Sequence, residues 1–382
     1  MLELLADLVR IDSVNPGFDP AGGGEAEIAA YVARWGRGAG LRVEVLEGTA
    51  GRPSVILRGG RDRGGRRLLL CGHLDTVALA GSADGLIPRA EGDRLYGRGA
   101  YDMKAGLAGA LVACRDADRA GLDGEVVVAA VADEEFASIG IAEALAHLDG
   151  VGIDGACFDG AVVTEPTERQ AGVAHRGFVW TEVTVTGVAA HGSRPHLGAD
   201  AIIAAGHHLA AFGELNTQLR GRPHPFLGPG NLHASLISGG TGESTIADRC
   251  VFTVERRTLP GETLDQVEAD VAGLLERCRP ADPRITVEAR TVLHRPGMET
   301  DPAASIVRAL LAAAGPGTGV APVSYWADSA FLAAAGIPTV LYGPEGDGAH
   351  AGIEWVSRSG TEAVAATLTR LVSDFCGAGA SV

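Results

Sequence analysis

Three short apolar runs, each ending in ionisable residues, constrain this chain more than any other feature: "RLLLCGHLDTV", "GEVVVAAVADEEF" and "GAVVTEPT". Uninterrupted runs of small and β-branched apolar residues read as strands buried on both faces, the kind found in parallel sheets covered by helices. Helix-patterned segments lie between them. "EAEIAAYVARWGRGAG" precedes the first run, "DMKAGLAGALVACRDA" separates the first from the second, and "GIAEALAHL" follows the second. The alternation predicts an α/β fold with a mostly parallel central sheet. Acids at the buried end of a strand are costly unless something there needs negative charge.

After about residue 175 the pattern changes. "FVWTEVTVTGVAA", "NLHASLISGG", "ADRCVFTVERRTL" and "RITVEARTVL" alternate in the period of half-buried antiparallel strands. Two helices, "GADAIIAAGHHLAAFGEL" and "TLDQVEADVAGLLERC", divide them into strand–helix–strand–strand–helix–strand. From about 290 the α/β pattern returns, with "AASIVRALLAAAG", "DSAFLAAAG", the buried strand "IPTVLYGP" and a C-terminal helix. The expected organisation is an α/β domain in two parts, 1–175 and 290–382. Between them, 176–289 forms an inserted α+β domain of four antiparallel strands and two helices. A chain of 382 residues exceeds what one core usually holds, which agrees with two domains. "RGGRDRGGRR" at 58–67 reads as a solvated hairpin.

The net charge of −16 lacks the basic footprint of a nucleic-acid-binding protein. No apolar stretch approaches the roughly 18 residues of a membrane span. "MLELLADLVRIDSVNP" has neither a basic start nor an unbroken apolar core, so it is read as an amphipathic helix ended by "NPG" rather than as a signal peptide. The six cysteines are scattered without a CxxC pair and read as buried, reduced thiols of a cytoplasmic protein.

The polar residues at the strand ends form one set: His73 and Asp75 in "GHLDT", Glu134 and Glu135 in "ADEEF", Glu165 in "VTEPT" and His350 in "GDGAH", with Asp102 just before a helix. In open α/β sheets, ligands bind in the crevice at the carboxyl ends of the strands. Carboxylates gathered there repel one another, and divalent cations resolve the conflict; imidazole with carboxylate suits zinc, with cobalt or manganese as substitutes. Two ions sharing a bridging carboxylate need about five protein ligands, and His73, Asp102, Glu135, Glu165 and His350 supply them. Asp75 is expected to accept the other imidazole N–H of His73. Strand alternation points Glu134 away from Glu135 and leaves it free to move a proton. Asp133 is expected to be solvated or to cap the turn. Asp328 is read either as a residue behind the site or as a helix N-cap. "GRGAYD" fails as a dinucleotide fingerprint because Asp102 takes the last glycine position.

With these residues in place, the chain resembles the M20 metallopeptidases and deacylases, a group that includes acetylornithine deacetylase, succinyl-diaminopimelate desuccinylase, aminoacylase and carboxypeptidase G2. "GHLDTV", "GDRLYGRGAYDMKAG", "DEEFASIG", "VTEPT", "AHGSRPHLGADAI", "ERRTLPGE" and "GAHAGIEWV" resemble its motifs in the family's order through nearly the whole chain. The resemblance implies that His73 and Glu165 hold one ion and Glu135 and His350 the other, with Asp102 bridging and Glu134 as general acid/base. It implies that His191, rather than His196, stabilises the oxyanion. Arg257, rather than Arg256, would clamp the substrate carboxylate, and His233 would line the pocket. It implies a lid domain that also makes a homodimer, and a small N-acylated amino acid or short peptide as substrate. A dipeptidase, carboxypeptidase or desuccinylase would use the same site. Completeness of the set argues against a relative that only binds. Tyr101 and Ala105 in "YDMKAG", and a "GESTIADRC" segment without Asn-x-x-Pro, depart from the common pattern and bear on the substrate rather than the metals.

Overall fold

The computed structural model describes residues 1–81, 84–150 and 158–377. They divide into two compact units. The first comprises Met1–Val173, Thr300–Ala321 and Ala327–Val382, and the second Ala174–Glu299 with Pro322–Trp326. Cys157, expected to be a buried thiol, lies outside the described residues; of the others, Cys71, Cys114, Cys250 and Cys376 are buried and free and Cys278 is half-buried.

The first unit is built on a mixed sheet. Arg42–Leu46, Ser54–Gly60, Glu125–Val131, Arg67–His73, Gly160–Val163, Thr339–Leu341 and Ala171–His175 lie side by side in that order. The middle four are mutually parallel, and the outer ones run antiparallel. The apolar runs are continuous because both faces are covered. Val55, Leu57, Leu68, Leu70, Val126 and Val128 share a core with the helices Leu2–Arg10, Ala26–Gly38, Ala105–Ala120, Ser305–Ala314 and Arg358–Cys376. Their strand neighbours Ile56, Leu69 and Val127 are equally buried and, by the period of two, face the other side. There the helices Ile139–Gly150 and Ser329–Ala334 pack on the sheet.

The basic run at 58–67 does not close a hairpin, contrary to expectation. Glu125–Val131 sits between the strands on either side of it, because that strand, apolar from Val126 to Val131 and buried along its whole length, takes the place of greatest burial. The connecting residues are tied to the turn before Glu125 through Arg61 N to Leu122 O (2.9 Å) and Arg63 N to Asp123 O (2.7 Å). Arg58 and Arg67 of this run converge with Arg42 on the buried Glu125 carboxylate.

A small antiparallel sheet, Gly346–Asp347, Trp355–Ser357, Arg94–Tyr96 and Arg89–Glu91, completes the first unit. Trp355 lies opposite Tyr96. This sheet joins the stretch that runs into Asp102 to the loop that carries His350.

The second unit is a four-stranded antiparallel sheet in the order Asn231–Gly239, Arg249–Thr258, Gly177–Thr186, Thr286–Arg295, packed with the helices Ala201–Leu219 and Leu264–Arg277. Val183, Val185, Phe212, Phe252, Val254 and Leu274 form its core. Both helices start at side-chain caps: Asp200 accepts from the amides of Ile202 and Ile203, and Thr263 with Gln266 forms a capping box. Residues 290–295 complete the edge strand, and the Trp326 indole donates to Pro296 O at 3.0 Å. No helix among the described residues is long and apolar enough to cross a membrane.

Gly106 starts the helix after Asp102 so close to the strand end before Glu165 that a Cβ there would stand 1.8 Å from Thr164 O. A main-chain carbonyl cannot rotate away. Gly106→Ala should therefore lower stability by about 3 kcal/mol, read as a lower urea midpoint with unchanged slope. Gly109→Ala, whose Cβ would meet Leu368 Cδ1 at 3.4 Å, is the near-neutral control.

Candidate metal centre

The parallel strands all end at one edge of the sheet. His73 is the last residue of its strand, and Val131 and Val163 are the last of theirs. The chain then runs into Glu134 and Glu135 from one strand and Glu165 from another. The small sheet delivers Asp102 and His350 to the same place. His73 Nε2 lies 3.3 Å from Asp102 Oδ1 and 3.8 Å from Glu165 Oε1. His350 Nε2 lies 3.3 Å from Asp102 Oδ2 and 3.0 Å from Glu135 Oε2. Asp102 thus presents one oxygen to each histidine. Donor atoms of His73, Asp102 and Glu135 fall within 4.8 Å of one another, as do those of His73, Glu134 and Glu165.

The donor chemistry asks for cations. His73 Nδ1 lies 2.9 Å from the main-chain oxygen of Asp75, so in the neutral ring Nδ1 donates and Nε2 carries a lone pair. That lone pair faces carboxylate oxygens, a repulsive contact unless a positive charge sits between them. The protonation equilibria show the same demand. Burial pushes the Glu134 carboxyl well above its ordinary value, and Asp328, Glu165 and Glu135 push it further. Glu165 is raised by burial and then by Asp102, and Glu135 likewise. Burial opposes a charge on His73, yet Asp102, Glu165 and Asp75 outweigh it and raise its pKa. Hydrogen bonds to Asp102 and Glu135 raise His350 to about 10.

The tandem glutamates are not on the strand. Val131 ends it, Asp133 adopts φ +65°, and Glu134 and Glu135 lie in a turn closed by Ala137 N and Ser138 N on Asp133 O. Turn geometry, not strand alternation, sets their two directions. Asp75 also differs from expectation. Its carboxylate is 3.7 Å from His73 Nδ1, which bonds the Asp75 carbonyl instead. The carboxylate accepts from Glu134 N (3.1 Å), Glu135 N (3.3 Å) and Asn15 Nδ2 (2.7 Å). Two otherwise unpaired turn amides are stronger claimants for it than a ring already satisfied by a carbonyl.

Asp133 is neither solvated nor a side-chain cap. It is buried and accepts from Asn15 Nδ2 (2.8 Å) and Arg52 Nη2 (2.7 Å), while Arg52 also grips Glu25 at 2.6 Å. An Arg fork between two carboxylates holds the turn from behind. Asp328 precedes the helix Ser329–Ala334 without a side-chain cap bond, and its charge acts on Glu134 and Glu165. Asn15, Glu25 and Arg52 were not singled out from sequence. Asn15 reads there as part of a helix-breaking "NPG", and nothing local marks a bond spanning 118 residues.

In the second unit His191 is exposed and paired with Thr245. Its Nδ1 accepts from Ser193 N at 3.1 Å, which leaves the proton of the neutral ring on Nε2, facing outward as a donor. His196 sits in the exposed turn Pro195–Leu197. Arg256 is buried between Asp270 (2.6 Å) and Glu262 (2.5 Å), a bond to the neighbouring helix. Arg257 points the other way, bonds Glu255 and lies over the Phe178 ring at 5.1 Å. His233 is exposed opposite Glu255. Glu255 also accepts from Trp180 Nε1 at 2.7 Å and so links Trp180 to Arg257; nothing local in the sequence marks it.

The sequence model of peptidase family M20/M25/M40 matches residues 69–374. An acetylornithine deacetylase of Myxococcus xanthus is 32% identical over 332 residues, covering 85% of this chain and 84% of that one. Among solved structures, an aminopeptidase of Bacillus cereus superposes with a TM-score of 0.76 at 20% identity, covering 98% of this chain and 97% of the other. A dinuclear metal-binding peptidase of Bacillus subtilis superposes with 0.72 at 15% identity, covering 98% and 97%. At those identities the structures speak for the fold.

Raised carboxyl pKa values mean that the metal-free native state holds protons the unfolded chain has released. Stability of that form therefore falls as pH rises from the ordinary carboxyl range through the raised values. A divalent cation expels those protons. Adding Zn²⁺ or Co²⁺ to chelator-treated protein should raise the unfolding midpoint, by about 2.7 kcal/mol at a hundredfold excess over Kd. The shift should be larger at pH 8 than at pH 5.5. A shift independent of pH would place metal binding on other groups, and no shift would remove the metal site.

Proposed function

The chain belongs to peptidase family M20/M25/M40, and on that premise we propose that it is a di-metal amidohydrolase removing the acyl group of an N-acyl amino acid, a deacylase of the acetylornithine deacetylase kind. As a family member it is a metal-dependent hydrolase of amide bonds; the acyl amino acid is our reading, supported by the deacetylase relative. The observation that carries the chemistry is the placement of Asp102 with one oxygen toward each histidine, beside Glu134 in the second ligand group.

His73 and Glu165 would hold one ion, Glu135 and His350 the other, with Asp102 between them. Nitrogen and oxygen donors of this kind suit Zn²⁺, with Co²⁺ or Mn²⁺ as alternatives. When bound, the ions supply positive charge that acidifies the attacking water and polarises the scissile carbonyl. Glu134, buried and raised in pKa, takes the water's proton and returns it to the leaving amine nitrogen. Asp75 holds the amides of Glu134 and Glu135 and so fixes the direction of both side chains. His191 offers Nε2–H to the developing oxyanion. Arg257, held by Glu255 and Phe178, offers a cation to the carboxylate of the amino acid, and His233 lines the same strand pair.

We read the second unit as lid and dimerisation domain. Its edge strand Asn231–Gly239 exposes Leu236 and Ile237, an unpaired apolar edge of the kind that a second copy covers. In this reading the lid closes in each turnover, because His191 and Arg257 belong to it. Among the described residues, four free, buried cysteines and one half-buried one suit a reducing, cytoplasmic setting.

Glu134→Gln should lower kcat by about 10²- to 10⁴-fold while metal analysis still finds two ions per chain; activity near that of the unaltered enzyme would remove Glu134 from the reaction. A panel of N-acetyl amino acids, N-succinyl amino acids and dipeptides with Zn²⁺ or Co²⁺ tests the substrate class. The highest kcat/KM is expected on an N-acetyl amino acid. Preference for dipeptides would replace the deacylase with a peptidase, and preference for N-succinyl substrates with a desuccinylase.

A further inference from the structure

Two of the five proposed ligands, Asp102 and His350, come from irregular segments far apart in the chain. Asp102 has φ −112° and ψ 96°, outside both the helix that follows and any strand. His350 has φ +62° in a loop that turns at Gly348 (φ +84°). Neither ligand is set in place by a regular hydrogen-bond ladder, so the main-chain amides around Asp102 need other acceptors.

Glu354 supplies them. Its Oε1 accepts from Tyr101 N (2.9 Å) and Asp102 N (3.1 Å), and its Oε2 from Gly99 N (2.9 Å) and Arg98 Nη1 (2.6 Å). Arg98 Nη2 in turn donates to Ala351 O (2.6 Å), next to His350. Gly97 N donates to the Glu354 carbonyl at 3.1 Å. Both side chains of the Arg98–Glu354 pair are almost wholly buried, 4% and 2% exposed. One carboxylate therefore grips the main chain leading into a ligand and the ligand's own amide, while its own residue lies four positions after another ligand.

We propose that Glu354 is a positioning residue for the metal pair: with Arg98 it fixes the segment of Asp102 against the loop of His350, so that the shared carboxylate and the histidine are held at their separation before an ion enters. The proposal rests on the di-metal reading above. It gives Glu354 no contact with substrate or with the reacting atoms.

The test compares metal binding and metal-free stability in the full-length chain, Glu354→Ala and Glu354→Gln. Zn²⁺ affinity is measured by competition with a chelator, and the Co²⁺ form gives an absorption spectrum that reports ligand geometry. Glu354→Ala is expected to bind at least one of its ions about 10- to 100-fold more weakly and to show an altered Co²⁺ spectrum. Glu354→Gln keeps an oxygen for Tyr101 N and Asp102 N but turns an NH₂ toward Gly99 N and Arg98, so its affinity should lie between the two. A purely structural role would lower the metal-free unfolding midpoint and leave affinity and spectrum unchanged; that result overturns the proposal. If Glu354→Ala does not fold, Glu354→Gln is read alone, and affinity and spectrum equal to those of the unaltered chain overturn it. An unaltered chain that takes up no ions overturns the di-metal reading and this proposal together. Two ions in the unaltered chain with unchanged variants overturn the positioning role only.

Discussion

The mutual repulsion of Asp102, Glu134, Glu135 and Glu165 is the constraint around which this structure is arranged. These carboxylates meet at the end of the parallel strands, one of which, Glu125–Val131, is buried along its whole length. Burial and proximity raise the pKa values of the three glutamates, whereas His350 and His73 outweigh burial at Asp102 and hold it below its ordinary value. Left to itself such a cluster would fly apart or neutralise. The protein holds it in register by anchoring the main chain rather than the charges. Asp75 takes the amides of the tandem-glutamate turn, Arg52 and Asn15 hold Asp133 behind it, and Glu354 takes the amides around Asp102. The carboxylate tips remain free to face cations, and the histidines are the only cationic partners within the cluster among the described residues.

The fold and the inner ring of this site were legible in the sequence for one reason. Both are written in local pattern: continuous apolar strands whose first polar residues mark the sheet edge, and, between 177 and 295, strict alternation broken by two helices. His73, Glu165 and the two glutamates could be picked out because a strand end is visible in a single stretch of chain. What local pattern does not display is the set of partners behind the site, which are distant in sequence. The strand Glu125–Val131 displaced a hairpin that glycines at 59, 60, 64 and 65 had suggested. Strand alternation cannot set the direction of Glu134, because the strand ends at Val131. Asp133 looked spare because its partners, Asn15 and Arg52, lie 118 and 81 residues away. Asp75 was paired with the nearest ring in sequence, when two amides 59 and 60 residues on had the better geometry.

The second unit shows the same division between pattern and contact. Arg256 and Arg257 are adjacent and chemically alike, and alternation separates them: one is spent on Asp270 and Glu262 within the fold, the other is presented beside Phe178. His191 gains a defined tautomer from a serine two residues on, a local device that a sequence can display but only coordinates can orient.

The insertion of the second unit within the first has a consequence for how the molecule comes to exist. Gly160–Val163 finds one of its two neighbours, Thr339–Leu341, only after the whole of Ala174–Glu299 has been made. His350 and Glu354 arrive later still. A nascent chain therefore exposes an incomplete parallel sheet, with His73, Asp102, Glu135 and Glu165 already synthesised, while the intervening unit has all four of its strands and can close its own core. Sheet closure across so long a separation is slow, since loop-closure entropy must be overcome before the contacts form. The last histidine is thus a checkpoint in time: the proposed ligand set is complete only in a molecule whose two halves have already found each other.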